Sequence, residues 1–375
     1  MNHLENSPDA LLYKIALSLV PGIGSITAKS LIAYCGSAGQ VFIEKEKILR
    51  TIPGVGTVLA KNIQQSKVLS RADKEVEFVR RNNITAHFYL DEGYPQRLKS
   101  CVDAPILLFS KGKPNLNCDK VISIVGTRNA TEYGRELVDK FIASLAGKGY
   151  NVQIVSGLAY GIDIQAHRAA LHNHIPTVCV LAHGLETVYP PLHRTFALEM
   201  CENNGGMVSD FLSYSVIDRK NFLRRNRIIA GLADAVIVVE SARKGGALLT
   251  AELAISYNRD LFAFPGRVGE PYTEGCHFLI KSNRAGLIEN VADLEYCMNW
   301  QPGKTTSDGY QPRLFTDLSP DEQRIVDLLQ AEGESPIDGI CLRTELPVNK
   351  VSPMLLSLEF SGIVKCLPGK VFKLT

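Results

Sequence analysis

What most restricts this chain is a series of short apolar segments between Cys118 and Trp300: VISIVG, NVQIVSG, TVCVLA, GGMVSDF, DAVIVVE and DLFAFPG, separated by stretches of helical periodicity. Each is rich in β-branched residues and almost wholly apolar, so a strand built from it is covered on both faces. Doubly covered strands alternating with helices belong to a parallel sheet with crossover connections, which makes the fold class α/β. The segment from about Ala86 to Gly112, with HFYLDEGYPQRL and APILLFSKG, is expected to add strands at one edge.

With 375 residues the chain is long enough for two or three bodies, and both flanks of the α/β segment read differently from it. Ahead of it lies a short repeat, Pro21-Gly22-Ile23-Gly24 followed by TAKSLI and Pro53-Gly54-Val55-Gly56 followed by TVLAKNI, with the copies 32 residues apart. An apolar pair before the glycines and an amphipathic stretch behind them suit two helices joined by a tight turn, a helix-hairpin-helix unit. Such a turn can offer backbone N–H groups to a phosphate without reading base sequence, or the two hairpins can simply pack as a helical domain. Behind the α/β segment, QPGKTTSDGYQPRLFTD (301–317) is a linker by composition. Ser319-Pro320-Asp321-Glu322 then opens a capped helix, a second helix follows Ser335-Pro336, and a third runs near Val348 to Phe360. GIVKCLPGKVFKL makes a hairpin, and the whole suggests a winged helix. The expected domains are 1–80, 81–300 and 318–375, with the linker at 301–317. Residues 301–375 carry eight Lys and Arg against ten Asp and Glu, which favours a protein-contact or regulatory role over groove reading.

Lys and Arg total 41 against 39 Asp and Glu, so the net charge of +2 leaves any polyanion binding to local clusters. The longest apolar candidate for a membrane span, Ile228 to Val239, is interrupted by Asp234, and the first twenty residues lack the order of a secretory signal. A cytoplasmic location with no membrane contact is expected. The nine cysteines form no C-x-x-C pair and read as small buried hydrophobes. His167, His172 and His174 lack a third partner at metal-ligand spacing, and only His167 shares a helix face with Asp163. Gly303-Lys304-Thr305 lacks the earlier glycine of a phosphate-binding loop, since Met298 stands there. No metal and no cofactor are expected.

Three loops carry chemistry. The first strand ends in Gly126-Thr127-Arg128 and runs on to Gly134, where a helix begins; helix N-termini at the carboxyl ends of parallel strands are anion sites, and Arg128 adds a planar fork suited to phosphate. The second strand ends in Ser156-Gly157 instead of an acid that could hold a ribose, which departs from the dinucleotide fingerprint. Asp218 to Arg227 carries five cations (Arg219, Lys220, Arg224, Arg225, Arg227) and one acid at a helix start. That density repels itself and opposes the positive end of the helix dipole, a conflict that a polyanion relieves. Phe222 within it can stack on an unpaired base, the combination that single strands need. The third loop, Arg243-Lys244-Gly245-Gly246, precedes a helix carrying Thr250 and Glu252 and offers another phosphate-sized N-terminus. All three leave the carboxyl ends of strands in one sheet and are expected to face one groove.

Taken together, IVGTRNATEYG, IVSGLAYGIDIQAH, GLETVYP, NFLRRNRIIAGL, VVESARKGGALLTAELA, FAFPG and GCHFLI resemble the DNA-processing protein A (DprA/Smf) family in the family's order, over residues 121–280. The resemblance implies an extended Rossmann-like fold with an N-terminal helix-hairpin-helix (SAM-like) domain and a C-terminal winged-helix-like domain. It implies a non-catalytic protein that binds single-stranded DNA, protects it, and loads a RecA-type recombinase onto it during natural transformation, dimerising through the Rossmann-like domain. The DNA-binding residues on that reading are Gly126, Arg128, Ser156, Gly157, Arg219, Lys220, Phe222, Arg225, Asn226, Arg227, Lys244 and Gly246. Leu223 stands where the family usually has proline, Gly245 where it has serine, and His277 where it has asparagine. The alternative is a nucleotide N-ribohydrolase: Gly245-Gly246 with Thr250-Ala251-Glu252 is similar to the loop of such enzymes, in which Glu252 would be the acid, although Ala247 and Leu248 replace the expected Gly and Thr.

Overall fold

The structure, a computed structural model, describes residues 10–65, 67–301, 318–360, 363–367 and 371–374. The linker expected at 301–317, and Gly303-Lys304-Thr305 within it, lie outside the described residues except for Gln301. The chain divides into two compact units, 1–305 and 306–375.

In the first unit the six apolar runs form strands, together with two edge strands ahead of them and a short one at the end. These are β1 (Thr85–Phe88), β2 (Leu107–Gly112), β3 (Lys120–Val125), β4 (Val152–Ser156), β5 (Thr177–Val180), β6 (Gly206–Ser209), β7 (Ala235–Val238), β8 (Asp260–Ala263) and β9 (Gly286–Leu287). They make one sheet in the order β1-β2-β6-β5-β4-β3-β7-β8-β9, parallel from β6 to β9 and antiparallel at β1-β2 and β2-β6. The order turns back between β3 and β7, so the loops leaving those two strands diverge and leave a crevice at their carboxyl ends. Both faces are covered, as the lack of alternation in the strands requires. Ile122, Ile124, Ile154 and Ile237 pack under the helices Glu132–Ala146 and Ile162–His172. Val121, Val125, Val155 and Val236 pack under Arg219–Leu232 and Gly246–Ser256. Asp234 breaks the apolar run for a structural reason: its carboxylate accepts from the Val121 N–H (2.8 Å) and pairs with Arg97 (2.5 Å), tying the start of β7 to β3.

The N-terminal repeat folds as two equivalent helical turns. Gly22 (φ +88°) and Gly54 (φ +83°) occupy left-handed positions that a side chain would strain. The hydrogen bonds repeat as well: Ile23 N–H to Val20 O and Ala28 N–H to Gly24 O in the first copy, Val55 to Ile52 and Ala60 to Gly56 in the second. Each turn starts a helix, Ser25–Cys35 and Thr57–Gln65. The surrounding helices Ala10–Leu19 and Val68–Arg81 bury Ile15, Leu17 and Val76 in one core with Phe88, Ile106, Leu107 and Phe109 of the sheet's antiparallel edge. A buried polar clamp adds direction: Glu75 accepts from Ser213 N–H (2.8 Å) and Oγ (2.5 Å) and pairs with Arg71 (2.7 Å). It fixes the helix Val68–Arg81 to the loop that leads into the cation-rich segment.

The second unit has helices Pro320–Glu332, Ile337–Thr344 and Val348–Phe360 and strands β10 (Glu334–Pro336), β11 (Val364–Leu367) and β12 (Val371–Leu374), in the order β10-β12-β11. Ser319 and Glu322 form the expected capping box, and Ile325, Ile340, Val351 and Leu355 make the core of a winged helix. The cysteines are all free, but the expectation that they are buried holds for four of nine; Cys297 and Cys366 are exposed. His167 packs under β5, with Nδ1 on Thr177 Oγ1 (2.7 Å), and burial lowers its pKa to about 3, so it is a neutral core histidine.

Candidate nucleic-acid interface

At the turn-back point between β3 and β7 the structure opens a cleft of about 640 Å³. The loop after β3 supplies Gly126 and Arg128, the start of the helix Arg219–Leu232 supplies Arg219, Phe222, Arg225 and Asn226, and the loop after β7 supplies Gly245 and Gly246. The first and third chemistry-bearing loops and the cation cluster thus share one groove, as their positions at strand ends require.

Besides the start of Arg219–Leu232, three helix N-termini surround this crevice, and they are not equivalent. The helix Glu132–Ala146, expected to offer an anion site after β3, already holds a carboxylate: buried Glu240 accepts from Thr131 N–H (2.9 Å) and Thr131 Oγ1 (2.5 Å), and a Cβ at Gly134 would overlap its carboxyl group. At Ile162–His172, Asp163 turns inward and accepts from backbone N–H groups of Gly157 and Ala159. Burial raises its carboxyl well above the usual range, opposed chiefly by Arg225. The helix Gly246–Ser256 has no side-chain cap, and a Cβ at Gly246 would meet open space. Here alone among the three the free N–H groups face the cleft. Substituting Gly134 by alanine is expected to destabilise the first unit by about 1–3 kcal/mol through this overlap, read as a lower denaturant midpoint at unchanged slope.

The cation cluster separates into two classes. Asp218 caps the helix, its side chain accepting from Lys220 N–H (2.9 Å), which partly offsets the crowded charges behind it. Arg219 and Arg128 are exposed, line the cleft and form no ion pair among the described residues. Arg128 lies 5.5 Å from the Phe222 ring centre and Arg225 5.9 Å. Asn226 is half-buried, and its amide has no hydrogen bond among the described residues. Lys220 and Lys244 are exposed beside the cleft without lining it, and form no ion pair among the described residues.

Other residues singled out from sequence are placed differently. Arg227, expected in the DNA pocket, points away from this cleft: it is 8% exposed, pairs with Asp210 (2.6 Å) and donates to the Asp103 carbonyl. Arg225 lines the floor but is spoken for, donating to the carbonyls of Gly157 (2.7 Å) and Val180, and burial lowers its pKa to about 10. Ser156 is buried with its hydroxyl on Ile124 O (2.6 Å), and Gly157 makes room for the Arg225 guanidinium, which a Cβ there would overlap; neither lines the cleft. The hydroxyl lost at Gly245 has a substitute, since Ser241 Oγ occupies the space its side chain would fill. Tyr189 went unnoticed in the sequence: it lines the cleft with its ring 6.0 Å from Phe222, edge-on. Its signal was an exposed aromatic in GLETVYP at the far side of β5, with no charge run to mark it. Glu252, the acid that N-glycosidic cleavage would use, is exposed, 4.0 Å from Arg284, and does not line the cleft.

The model of DNA recombination-mediator protein A matches residues 85–299, and that of the DprA winged helix domain matches 311–370. Protein Smf of Escherichia coli (strain K12) is 36% identical over 298 residues, 76% of this chain and 75% of its own length. The X-ray structure of DNA processing protein A (DprA) from Streptococcus pneumoniae superposes with a TM-score of 0.64 at 31% identity, covering 76% of this chain and 96% of that one. A structure titled for the single-stranded DNA binding mode of DNA processing protein A from Helicobacter pylori gives a TM-score of 0.51 at 27% identity, over 58% of this chain and 95% of that one.

Proposed function

This chain belongs to the DNA recombination-mediator protein A (DprA/Smf) family, and on that footing we propose that the cleft between β3 and β7 holds single-stranded DNA. The carrying observation is the pairing of two arginines that form no ion pair among the described residues, Arg128 and Arg219, with a half-buried ring, Phe222, beside a helix N-terminus, that of Gly246–Ser256, with no side-chain cap. Phosphates meet the arginines and the N–H groups of Gly246–Ser256, a base stacks on Phe222, and the free Asn226 amide can bond a base edge. A duplex hides its bases, so the stacking part of this arrangement favours an unpaired strand.

In this reading the protein covers incoming DNA during natural transformation and presents it to a RecA-type recombinase. It acts in the cytoplasm as a dimer associated through the Rossmann-like body, and it holds and delivers the strand without chemistry on it. The C-terminal unit, with its slight excess of acids, serves as a protein-contact element. No helix among the described residues is long and apolar enough to cross a membrane.

The experiment is an anisotropy titration of a labelled homopolymer, single-stranded and duplex, over a range of salt. Among the described residues, Arg128, Arg219, Lys220 and Lys244 form no ion pair and lie at or beside the cleft. Neutralising about four phosphates at ~0.7 each gives an expected slope of log K against log salt near −3 for the single strand. Equal, salt-independent binding of both forms would remove the cleft as a nucleic-acid site.

A further inference from the structure

We propose that the loop 213–217, between β6 and the helix Arg219–Leu232, is a second base platform: Tyr214, with Val216 beside it, carries a base of the strand that leaves the cleft past Ile217. The inference deepens the single-strand reading of that cleft and rests on it. β6 stands three strands from β3 in the sheet, about 14 Å at ~4.8 Å per strand. The segment 210–218 leaves the carboxyl end of β6, and its far end enters the cleft, where Ile217 is part of the lining. Tyr214 lies three residues back from Ile217, at most about 11 Å along the backbone. At ~3.4 Å per nucleotide that is about three steps of a strand.

Tyr214 and Val216 are 78% and 80% exposed, yet the loop that displays them is fixed at both ends. Ser213 donates from its N–H (2.8 Å) and Oγ (2.5 Å) to Glu75, and its carbonyl accepts from Arg71 (2.6 Å). Ser215 Oγ donates to Leu212 O (2.6 Å), and the Asn221 amide donates to Val216 O (2.8 Å). Between these ties Tyr214 holds φ +60°, a left-handed conformation that a bulky side chain rarely takes. Its ring meets Phe78 edge-on, 6.1 Å between centres, and its hydroxyl makes no hydrogen bond among the described residues. Such a backbone persists only where its surroundings over-determine it. Here they hold an aromatic ring out in solvent, where packing alone gives no reason for it.

The chemistry of the loop suits a base and not a phosphate. Residues 213–217, Ser-Tyr-Ser-Val-Ile, carry no charge, so a strand held there gains a stacking face without releasing counterions. The tyrosines on the other side of the cleft are used differently. Tyr133 donates to Pro265 O (3.3 Å) and the Tyr272 hydroxyl accepts from Asn129 (3.1 Å), so both tie loops to one another. Tyr189, on the loop after β5, lines the cleft 6.0 Å from Phe222, and β5 neighbours β6 in the sheet. The rings of Phe222, Tyr189 and Tyr214 therefore mark a course from the cleft towards β6.

The test compares the full-length wild type, Tyr214→Asn and Tyr214→Phe on single-stranded oligo-dT of about 4 and about 12 nucleotides, the first filling the cleft alone and the second reaching past it. Asparagine takes the left-handed conformation readily and most of the Tyr214 side chain is in solvent, so Tyr214→Asn should unfold at the wild-type denaturant midpoint or above it. It is expected to bind the short strand like wild type and the long strand about five- to a hundredfold more weakly, the loss of one stacked base, at an unchanged salt slope. Tyr214→Phe should match wild type on both. In Tyr214→Trp, where Trp300 is the only other tryptophan, the new indole fluorescence should be quenched by the long strand and not by the short one. Equal affinity of Tyr214→Asn and wild type for the long strand would overturn the platform and leave the exposed loop to a protein partner, with the cleft standing. An equal loss on both lengths would overturn it as well, since Tyr214 would then only brace the cleft. Absence of binding by wild type to either strand would overturn the reading of the cleft itself, and this inference with it.

Discussion

Arg225→Ala is expected to lower the stability of the first unit by about 3–5 kcal/mol, a larger effect than removal of any exposed cation in the same segment. Arg225 is 3% exposed, holds the carbonyls of Gly157 and Val180, and is the principal charge opposing the burial of Asp163. Without it two carbonyls under β4 and β5 lose their donor and a buried carboxylate loses its counter-charge. The loss should depend on pH in a definite direction. Asp163 already titrates above its usual value in the folded protein, and removing Arg225 raises it further. A carboxyl with a raised folded pKa binds protons more tightly in the native than in the unfolded state, so it stabilises at low pH, and that contribution is lost as pH rises through the folded value. The deficit of Arg225→Ala relative to wild type should therefore be larger at about pH 8 than at about pH 5, measured by denaturant unfolding. Pairing Arg225→Met with Asp163→Asn should recover part of it, because both charges then go together. A deficit below about 1 kcal/mol with no pH dependence would mean that Arg225 is held only by the surface of the cleft.

Much of this arrangement was open to reading from the chain. Runs such as DAVIVVE and VISIVG admit little besides buried parallel strands, and loops leaving the carboxyl ends of such strands must share an end of the sheet. That logic brought Gly126, Arg128 and Gly246 together with Phe222 before any coordinates. What stayed hidden was which charges are already satisfied. Arg227 is neutralised by Asp210, Glu240 fills a helix end more than a hundred residues before it, and Arg225 faces Asp163 from another crossover. Such pairings depend on how crossovers stack, and no local spacing encodes them. The five cations of residues 218–227 look alike in one dimension; burial divides them into two that are held inside the protein, Arg225 and Arg227, and three that reach solvent.

That division sets the other large expected effect. Arg128→Ala combined with Arg219→Ala should weaken single-strand binding by about 100-fold or more, since each charge-assisted contact is worth about 1.5–3 kcal/mol, and should leave unfolding nearly unchanged because both side chains are exposed and neither forms an ion pair among the described residues. The salt slope should become shallower by about 1.4, two phosphates at ~0.7 each. Phe222→Ala should act differently. Loss of a stacking platform costs about 1–3 kcal/mol per base and involves no counterion, so affinity falls while the salt slope stays where it was. The two effects are also coupled, because Arg128 rests over the Phe222 ring at 5.5 Å. Once Phe222 is gone, Arg128 loses the surface that orients its fork, and the further loss on Arg128→Ala should be smaller than in the wild-type background, a non-additivity that a double-mutant cycle reads directly. Additive losses would mean that arginine and ring serve separate nucleotides; an unchanged salt slope in the double arginine variant would mean that the strand's phosphates lie elsewhere.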